Sequence, residues 1–412
     1  MSRPDGEHGM SVSFRAICVA AALALSGGAA TAEIPGRLLK VGVLSDMSGP
    51  FANQAGEGSV VAARMAAEDF AKEAGDLKVE IVAADHQNKP DVGSSIVRRW
   101  IDQEGVTTVI DLPNSGVALA ISALLDSRNL PTMASGSATS DMTGKFCKKT
   151  TVQWAHDTWA LGNGMGKAVS KAGGKNWFFI AFDYALGQAL ERDTTEAVKK
   201  AGGTVAGSVK HPLGTTDFSS YILQAQASGA DVIALGDTGV DAINATKQMN
   251  EFGVLQKGMQ LAALFLQISD VQAVGLDQGK GMVVTESFYW DLNDRTRAWA
   301  ERFAGRHKGQ KPTVNHASTY SATLAYLRAA KAANAIEGDK VVGQMQRMTF
   351  DDPTYGKVTV RPDGRAVHDM YVFKVKDPSR SSGKDDIYDL IETIPAADAF
   401  RPLNEGGCPL IK

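Results

Sequence analysis

The sequence predicts an α/β protein built as two similar lobes around mostly parallel sheets. Three observations predict it. Short apolar runs alternate with helical patterns along most of the chain, which is the signature of βαβ units. In the second half these runs start at Trp177, Thr204, Asp231 and Met259, spacings that each fit one strand plus one helix. Between this set and a first set of four, Thr151 to Gly166 breaks the rhythm with Trp154, His156, Trp159 and three glycines, as a passage between lobes would.

The chain opens with Arg15, the apolar run Ala16 to Leu25 and the small residues Ala30-Thr31-Ala32. That order is a secretory signal cleaved after Ala32, with too short a run to cross a bilayer. Asp5 and Glu7 are foreign to such a leader, so Met10 is an alternative start. Small residues for lipid attachment around Cys18 are missing, so the expectation is a soluble, periplasmic monomer. Cleavage leaves Cys147 and Cys408. In an oxidising compartment an even pair reads as one disulfide, with two buried thiols as the alternative.

Lys40 to Leu44 is a valine-containing run suited to a strand covered on both faces. Met47 to Gly58 follows with Gly49, Pro50, Gly56 and Gly58, and must turn. Ala62, Met65, Ala66 and Phe70 then form one helical stripe. Val79 to Ala84, Thr107 to Leu112 and Leu130 to Ala134 are the next strands, separated by helices carrying Ile96, Val97 and Trp100, and Ala118, Ile121 and Leu125. Trp177 to Phe182, Thr204 to Lys210, Asp231 to Leu235 and Met259 to Leu264 repeat the pattern, and Gly281 to Thr285 adds a strand. Helices are predicted near 294–307, 314–335 and 340–348. Gly356 to Val360, a turn at Arg361 to Gly364, and Ala366 to Val375 read as a hairpin. The predicted lobes are 37–155 with about 286–350, and 156–285 with about 351–412.

Charge and motifs narrow the function. The net charge is −3 without a basic cluster, which removes nucleic acid as a partner. Neither H-E-x-x-H, C-x-x-C nor any other metal-ligand spacing occurs, so metal, cofactor and catalysis are not expected. Gly162 to Lys167 fails the phosphate-loop spacing at Leu161 and Ala168, and Ser135-Gly136-Ser137 is not a nucleophile elbow. Polar strand ends are the better candidates. Asn114 and Ser115 follow one strand; Ser135, Ser137, Thr139 and Thr143 follow another. Hydroxyls and free N–H groups there suit a carboxylate, or serve only as helix caps. Asp183-Tyr184, Asp237-Thr238 and Leu264-Phe265-Leu266 end strands of the second lobe. Tyr184 reads as a ligand contact or a structural tyrosine, and Trp154 as a cleft residue beside the packing residue Trp159.

KVGVLSDMSGP with its glycine-rich loop, Asp85-His86-Gln87-Asn88, Asp141-Met142-Thr143 and Asp183-Tyr184-Ala185-Leu186-Gly187 resemble the branched-chain-amino-acid type of periplasmic binding protein, over essentially the whole mature chain. The resemblance implies two Rossmann-like lobes, three crossings, and closure over a small ligand delivered to ABC permease subunits. By position, Asn114, Ser115, Ser137, Ala138 and Thr139 would hold a carboxylate, with Tyr184 covering it and Phe51 and Gln54 on the near wall. Amino-acid binders of the family carry an acidic residue after the strand that here ends in Leu264-Phe265-Leu266. Its replacement by apolar residues implies a carboxylate ligand with an apolar or aromatic body. Asp237 is the residue that would supply an ammonium partner instead, so branched-chain amino acids, small amides and a ligand-sensing receptor remain the competing readings.

Overall fold

A computed structural model describes residues 33–411; the predicted signal lies outside them. The first sheet takes β1 (Leu38–Ser45), β2 (Lys78–Asp85), β3 (Thr108–Asp111), β4 (Thr132–Ala134) and β5 (Thr151–Gln153) in the order β2-β1-β3-β4-β5. Every pairing is parallel. The sequence reading had no strand at β5. Helices α1 (Gly56–Phe70), α2 (Pro90–Arg99) and α3 (Ser115–Ser127) are its crossovers. Central strands β3 and β4 are buried throughout, whereas edge strand β2 alternates, as its one-sided cover requires.

The second sheet repeats the plan. β6 (Asn176–Phe182), β7 (Thr204–His211), β8 (Val232–Gly236) and β9 (Gln260–Ala263) lie parallel in the order β7-β6-β8-β9. α4 (Thr158–Lys171), α5 (Ala185–Lys200), α6 (Ser219–Ala227), α7 (Gly239–Glu251), α8 (Ile268–Val274) and α9 (Leu276–Gly279) surround it. Each sheet thus reverses its winding once, between β1 and β3 and between β6 and β8. Such switch points open a crevice at the carboxyl ends of the strands.

The chain changes core three times, near 155–160, 284–288 and 366–370. α10 (Asp294–Ala304), α11 (Val314–Ala333) and α12 (Gly338–Met345) return to the first core, where α11 lies beside α1. β10 (Val283–Glu286) joins an antiparallel sheet with β14 (Met370–Val375) and β15 (Tyr388–Ile394). β11 (Thr349–Asp352), β12 (Gly356–Val360) and β13 (Ala366–Val367) form a separate small sheet. The hairpin read as one strand over 366–375 therefore breaks at His368-Asp369, and its two halves serve different sheets. Phe350, Val358, Val360 and Ala366 are buried in the first core.

Arg365 fastens the crossings together. Its guanidinium is fully buried and donates to the carbonyls of Ala155 and Ala366, with Phe400 beneath it at 4.6 Å. His368 Nε2 lies 3.0 Å from the Trp154 carbonyl, binding first and third crossings. The glycine run in α4 has a packing cause. A Cβ at Gly162 would sit 2.7 Å from Thr194 Oγ1 and 2.8 Å from its backbone N, and one at Gly166 2.9 Å from Ala197 Cβ. Only glycine lets α4 and α5 approach so closely. Cys147 and Cys408 are disulfide-bonded with Cα atoms 5.6 Å apart, as the cysteine count predicts. Among the described residues no helix is long and apolar enough to cross a membrane, and no metal-ligand cluster occurs.

Candidate functional site

The predicted site residues sit where the sheet topology concentrates loops. Phe51 and Gln54 follow β1, Asn114 and Ser115 follow β3, Tyr184 follows β6 and Asp237 follows β8. These are the four strands that flank the two switch points.

The near wall is shaped by Asp46. Its carboxylate accepts from the backbone N–H of Gly49 (2.7 Å) and Phe51 (2.9 Å) and from Asn88 Nδ2 (2.8 Å), folding the loop back on itself. Phe51 is thereby presented edge-on to Phe182 of the second sheet, with ring centres 6.4 Å apart. Gln54 Nε2 donates to Thr238 Oγ1 (2.8 Å) and to Asp270 Oδ2 (2.5 Å). Gly239, at φ 64°, passes so close that a Cβ there would meet the Pro50 carbonyl at 2.6 Å. The two walls touch in this structure.

The two hydroxyl loops lie side by side, with their side chains partly engaged. Asn114 caps α3, its side chain accepting from Val117 N at 3.1 Å. Ser137 Oγ reaches Ser115 Oγ at 3.5 Å. Gln153 Nε2 donates to the carbonyls of Ser137 and Thr139, both at 3.0 Å, and Thr158 N donates to Ala138 O at 2.7 Å. Backbone shape in this loop is therefore held from both sides, with Ser137 and Thr139 buried. Beneath it lies Asp111, which the sequence reading passed over. Its carboxylate is wholly buried, has no hydrogen-bond partner of good geometry, and faces the hydroxyls of Ser45, Ser59 and Thr319. Burial pushes its pKa up to about 7.

Phe265 of the far wall shares one apolar cluster with Phe51 and Ala138 of the near side, with Tyr184 packed against it. Phe265 stands edge-on to His156 at 4.8 Å. The Tyr184 hydroxyl is buried without a partner among the described residues, and burial followed by the Asp241 and Asp237 charges raises its pKa. Asp237 is buried with His211 Nε2 3.3 Å from its carboxylate. Burial opposes a charge on His211, and Asp237 outweighs it, so the imidazole titrates above its ordinary value. Trp154 is not drawn into this group. Its indole lies in the first core, edge-on to Phe350 at 5.8 Å, and donates to Ser321 Oγ at 2.8 Å.

Asp270 is a buried acid near the strand end where the sequence shows only apolar residues. Leu264, Phe265 and Leu266 are apolar, yet Asp270 stands four residues later at the start of α8, buried and accepting from Gln267 N at 3.0 Å. Burial raises it to about 6. The signal was legible as a capping box, Gln267 with Asp270 three residues on, which the structure forms.

Comparison with known proteins agrees with the fold. The family model described as periplasmic binding protein matches residues 39–384. A periplasmic binding protein of Burkholderia mallei is 40% identical with a TM-score of 0.89, covering 92% of this chain and 100% of that one. A branched chain amino acid ABC transporter periplasmic ligand-binding protein of Burkholderia xenovorans is 38% identical at TM-score 0.80, covering 91% and 100%. Leu/Ile/Val-binding protein homolog 6 of Brucella melitensis is 28% identical over 66% of this chain and 68% of its own. A solute binding protein of R. palustris in complex with 4-hydroxybenzoate shares the fold at 22% identity and TM-score 0.79, covering 88% and 98%. The chain belongs to the periplasmic binding protein family, as an ABC-transporter solute-binding protein of the branched-chain-amino-acid type.

Proposed function

We propose that the protein binds a small carboxylate with an apolar or aromatic body in the periplasm and hands it to ABC permease subunits. The observation that carries this reading is the composition of the cleft. Ser115, Ser137 and Thr139 are buried hydroxyl residues on two adjoining loops of the first sheet, and Phe51, Ala138 and Phe265 share an apolar cluster against which Tyr184 packs. A carboxylate is held at the first and an apolar body is desolvated at the second, each group meeting its own kind. The R. palustris protein that holds 4-hydroxybenzoate supports the ligand class on the same fold. The predicted signal supports export. In this reading the lobes move about the crossings near 155–160, 284–288 and 366–370, and the hairpin from 349 to 367 travels with the first.

Branched-chain amino acids are the second reading, favoured by the buried acids Asp270 and Asp237. Asp270 accepts from Gln54, which leaves less of it for an ammonium, whereas Asp237 has His211 beside it at 3.3 Å without hydrogen-bond geometry. A thermal-shift and tryptophan-fluorescence screen of the mature protein decides. Benzoate and 4-hydroxybenzoate should raise the melting temperature and leucine should not; a response to leucine alone overturns the proposed ligand class. Thr139→Ala should weaken the responding carboxylate about tenfold, the scale of one charge-assisted hydrogen bond.

A further inference from the structure

The loop that follows β4 is gripped by a charged pair from the other lobe. On α5, Asp193 is buried, and one of its oxygens accepts from both Ser140 Oγ (2.6 Å) and Thr158 Oγ1 (2.5 Å). Its second oxygen accepts from Arg192 Nε at 2.9 Å. Arg192 then reaches past it, donating to Ser140 Oγ at 2.7 Å and to Asp141 Oδ1 at 2.9 Å. Thr158 relays the contact, since its hydroxyl accepts from Ser140 N at 3.0 Å while donating to Asp193. The C-terminal tail closes the ring. Arg401 donates to the Ser140 carbonyl at 3.2 Å, and the Cys147–Cys408 bond keeps that tail against the loop.

A buried carboxylate costs several kcal/mol when its partners are lost. Apolar residues would join α5 to this loop at less risk, whereas a charged pair with directed hydrogen bonds holds it in one geometry. What they fix is one residue from Thr139. Gln153 holds the Ser137 and Thr139 carbonyls from the first sheet, and Arg192 and Asp193 hold Ser140 and Asp141 from the second. We propose that Arg192 and Asp193 are positioning residues for the ligand loop Ser137–Thr139, keeping it in its binding shape whether the lobes are open or closed. This rests on the reading of that loop as a carboxylate site, and it assigns the loop to the hinge side of the cleft rather than to a wall that swings.

Amide hydrogen exchange and ligand affinity separate the two claims. In the absence of ligand, Asp193→Ala should speed exchange across 137–145 about tenfold or more, with Asp193→Asn, which keeps an acceptor for both hydroxyls, falling between it and the unaltered protein. Ile222→Ala, in a buried cluster on another face of the second sheet, serves as the control that lowers overall stability without touching the loop. For 4-hydroxybenzoate, affinity should fall about tenfold in Asp193→Ala and stay unchanged in Ile222→Ala. Exchange that is no faster in Asp193→Ala than in Ile222→Ala overturns the positioning role. Faster exchange with unchanged affinity instead removes the loop from the ligand site. If the unaltered protein does not bind 4-hydroxybenzoate, the proposed ligand class fails and exchange alone decides the positioning.

Discussion

Asp111 is held at φ 80° and Leu112 after it at φ 63°, two consecutive residues in a region that side chains avoid. The same strand end buries a carboxylate that titrates at about 7 against an ordinary 3.8. The folded state therefore binds this proton more tightly than the unfolded chain does, and stability from this group is lost as pH rises from about 4 to 7. Five histidines act the other way, among them the half-buried His307. Burial lowers His86 and His368 to about 4 and His156 and His316 to about 3, so they lose stability as pH falls through 6.5 towards those values. Between about pH 4 and 6.5 the two slopes oppose each other. Asp111→Asn removes one of them. We expect the variant to be more stable than the parent at pH 8, by up to roughly 4 kcal/mol from the shift alone, and its melting temperature to fall more steeply from pH 7 to 5. Parallel melting curves at all pH values would refute an ionised, penalised Asp111. At this scale the sequence was least legible. Asp111 and His211 look like ordinary last residues of strands, and what singles them out is depth, which no spacing records.

Among elements, α4 and its glycines show how a motif can be read for the wrong chemistry. Gly162-Asn163-Gly164-Met165-Gly166-Lys167 invites comparison with a phosphate loop and fails it by one position at each end. The glycines instead lie where α4 meets α5 and β10, with Gly164 facing Thr285 and a Cβ there falling 3.0 Å from its hydroxyl. Two effects of opposite sign meet in Gly162→Ala. Helix propensity gains about 1 kcal/mol on replacing glycine. Against it, the new methyl would press on the Thr194 backbone at 2.8 Å, which cannot rotate away. Overpacking of this kind costs about 1–3 kcal/mol and forces the helices apart. We expect Gly162→Ala to lower the denaturation midpoint; a rise would mean that α5 yields easily and that the glycine is not needed for contact. Strands and crossover helices were legible because a strand buried on both faces must be apolar along its whole length. β5 was not, since three residues, Thr151 to Gln153, carry no period. The break at His368-Asp369 was hidden for a related reason, because β13 and β14 both favour extended backbone and only their partners differ.

In the proposed reading the whole molecule is a hinge, and its closure is open to measurement. Its two parallel sheets follow from repeated spacing that any reader of the chain can count, whereas the way their walls meet depends on residues distant in sequence. Gln54 is central to that meeting. Its side-chain amide nitrogen donates across the gap to Thr238 and Asp270, while its backbone carbonyl accepts from Thr313 Oγ1 at 2.6 Å and anchors the residue to the first lobe. In the open state water would satisfy these groups, so the bonds act on the balance between open and closed rather than on folding. Removing a charge-assisted pair of this kind shifts a balance by about 1.5–3 kcal/mol, or roughly tenfold to more than a hundredfold in population. Gln54→Ala also leaves Asp270 with Gln267 N as its main donor, which makes the closed state dearer still. Ligand binds the closed form, so a smaller closed fraction must appear as weaker apparent affinity by the same factor. Small-angle scattering of the ligand-free variant should therefore give a larger radius of gyration than the parent, saturating ligand should bring the two together, and the dissociation constant should rise in step. Equal radii in the free state with equal affinities would mean that Gln54 does not govern closure, and that the walls are drawn together by the Phe51 to Phe182 contact instead.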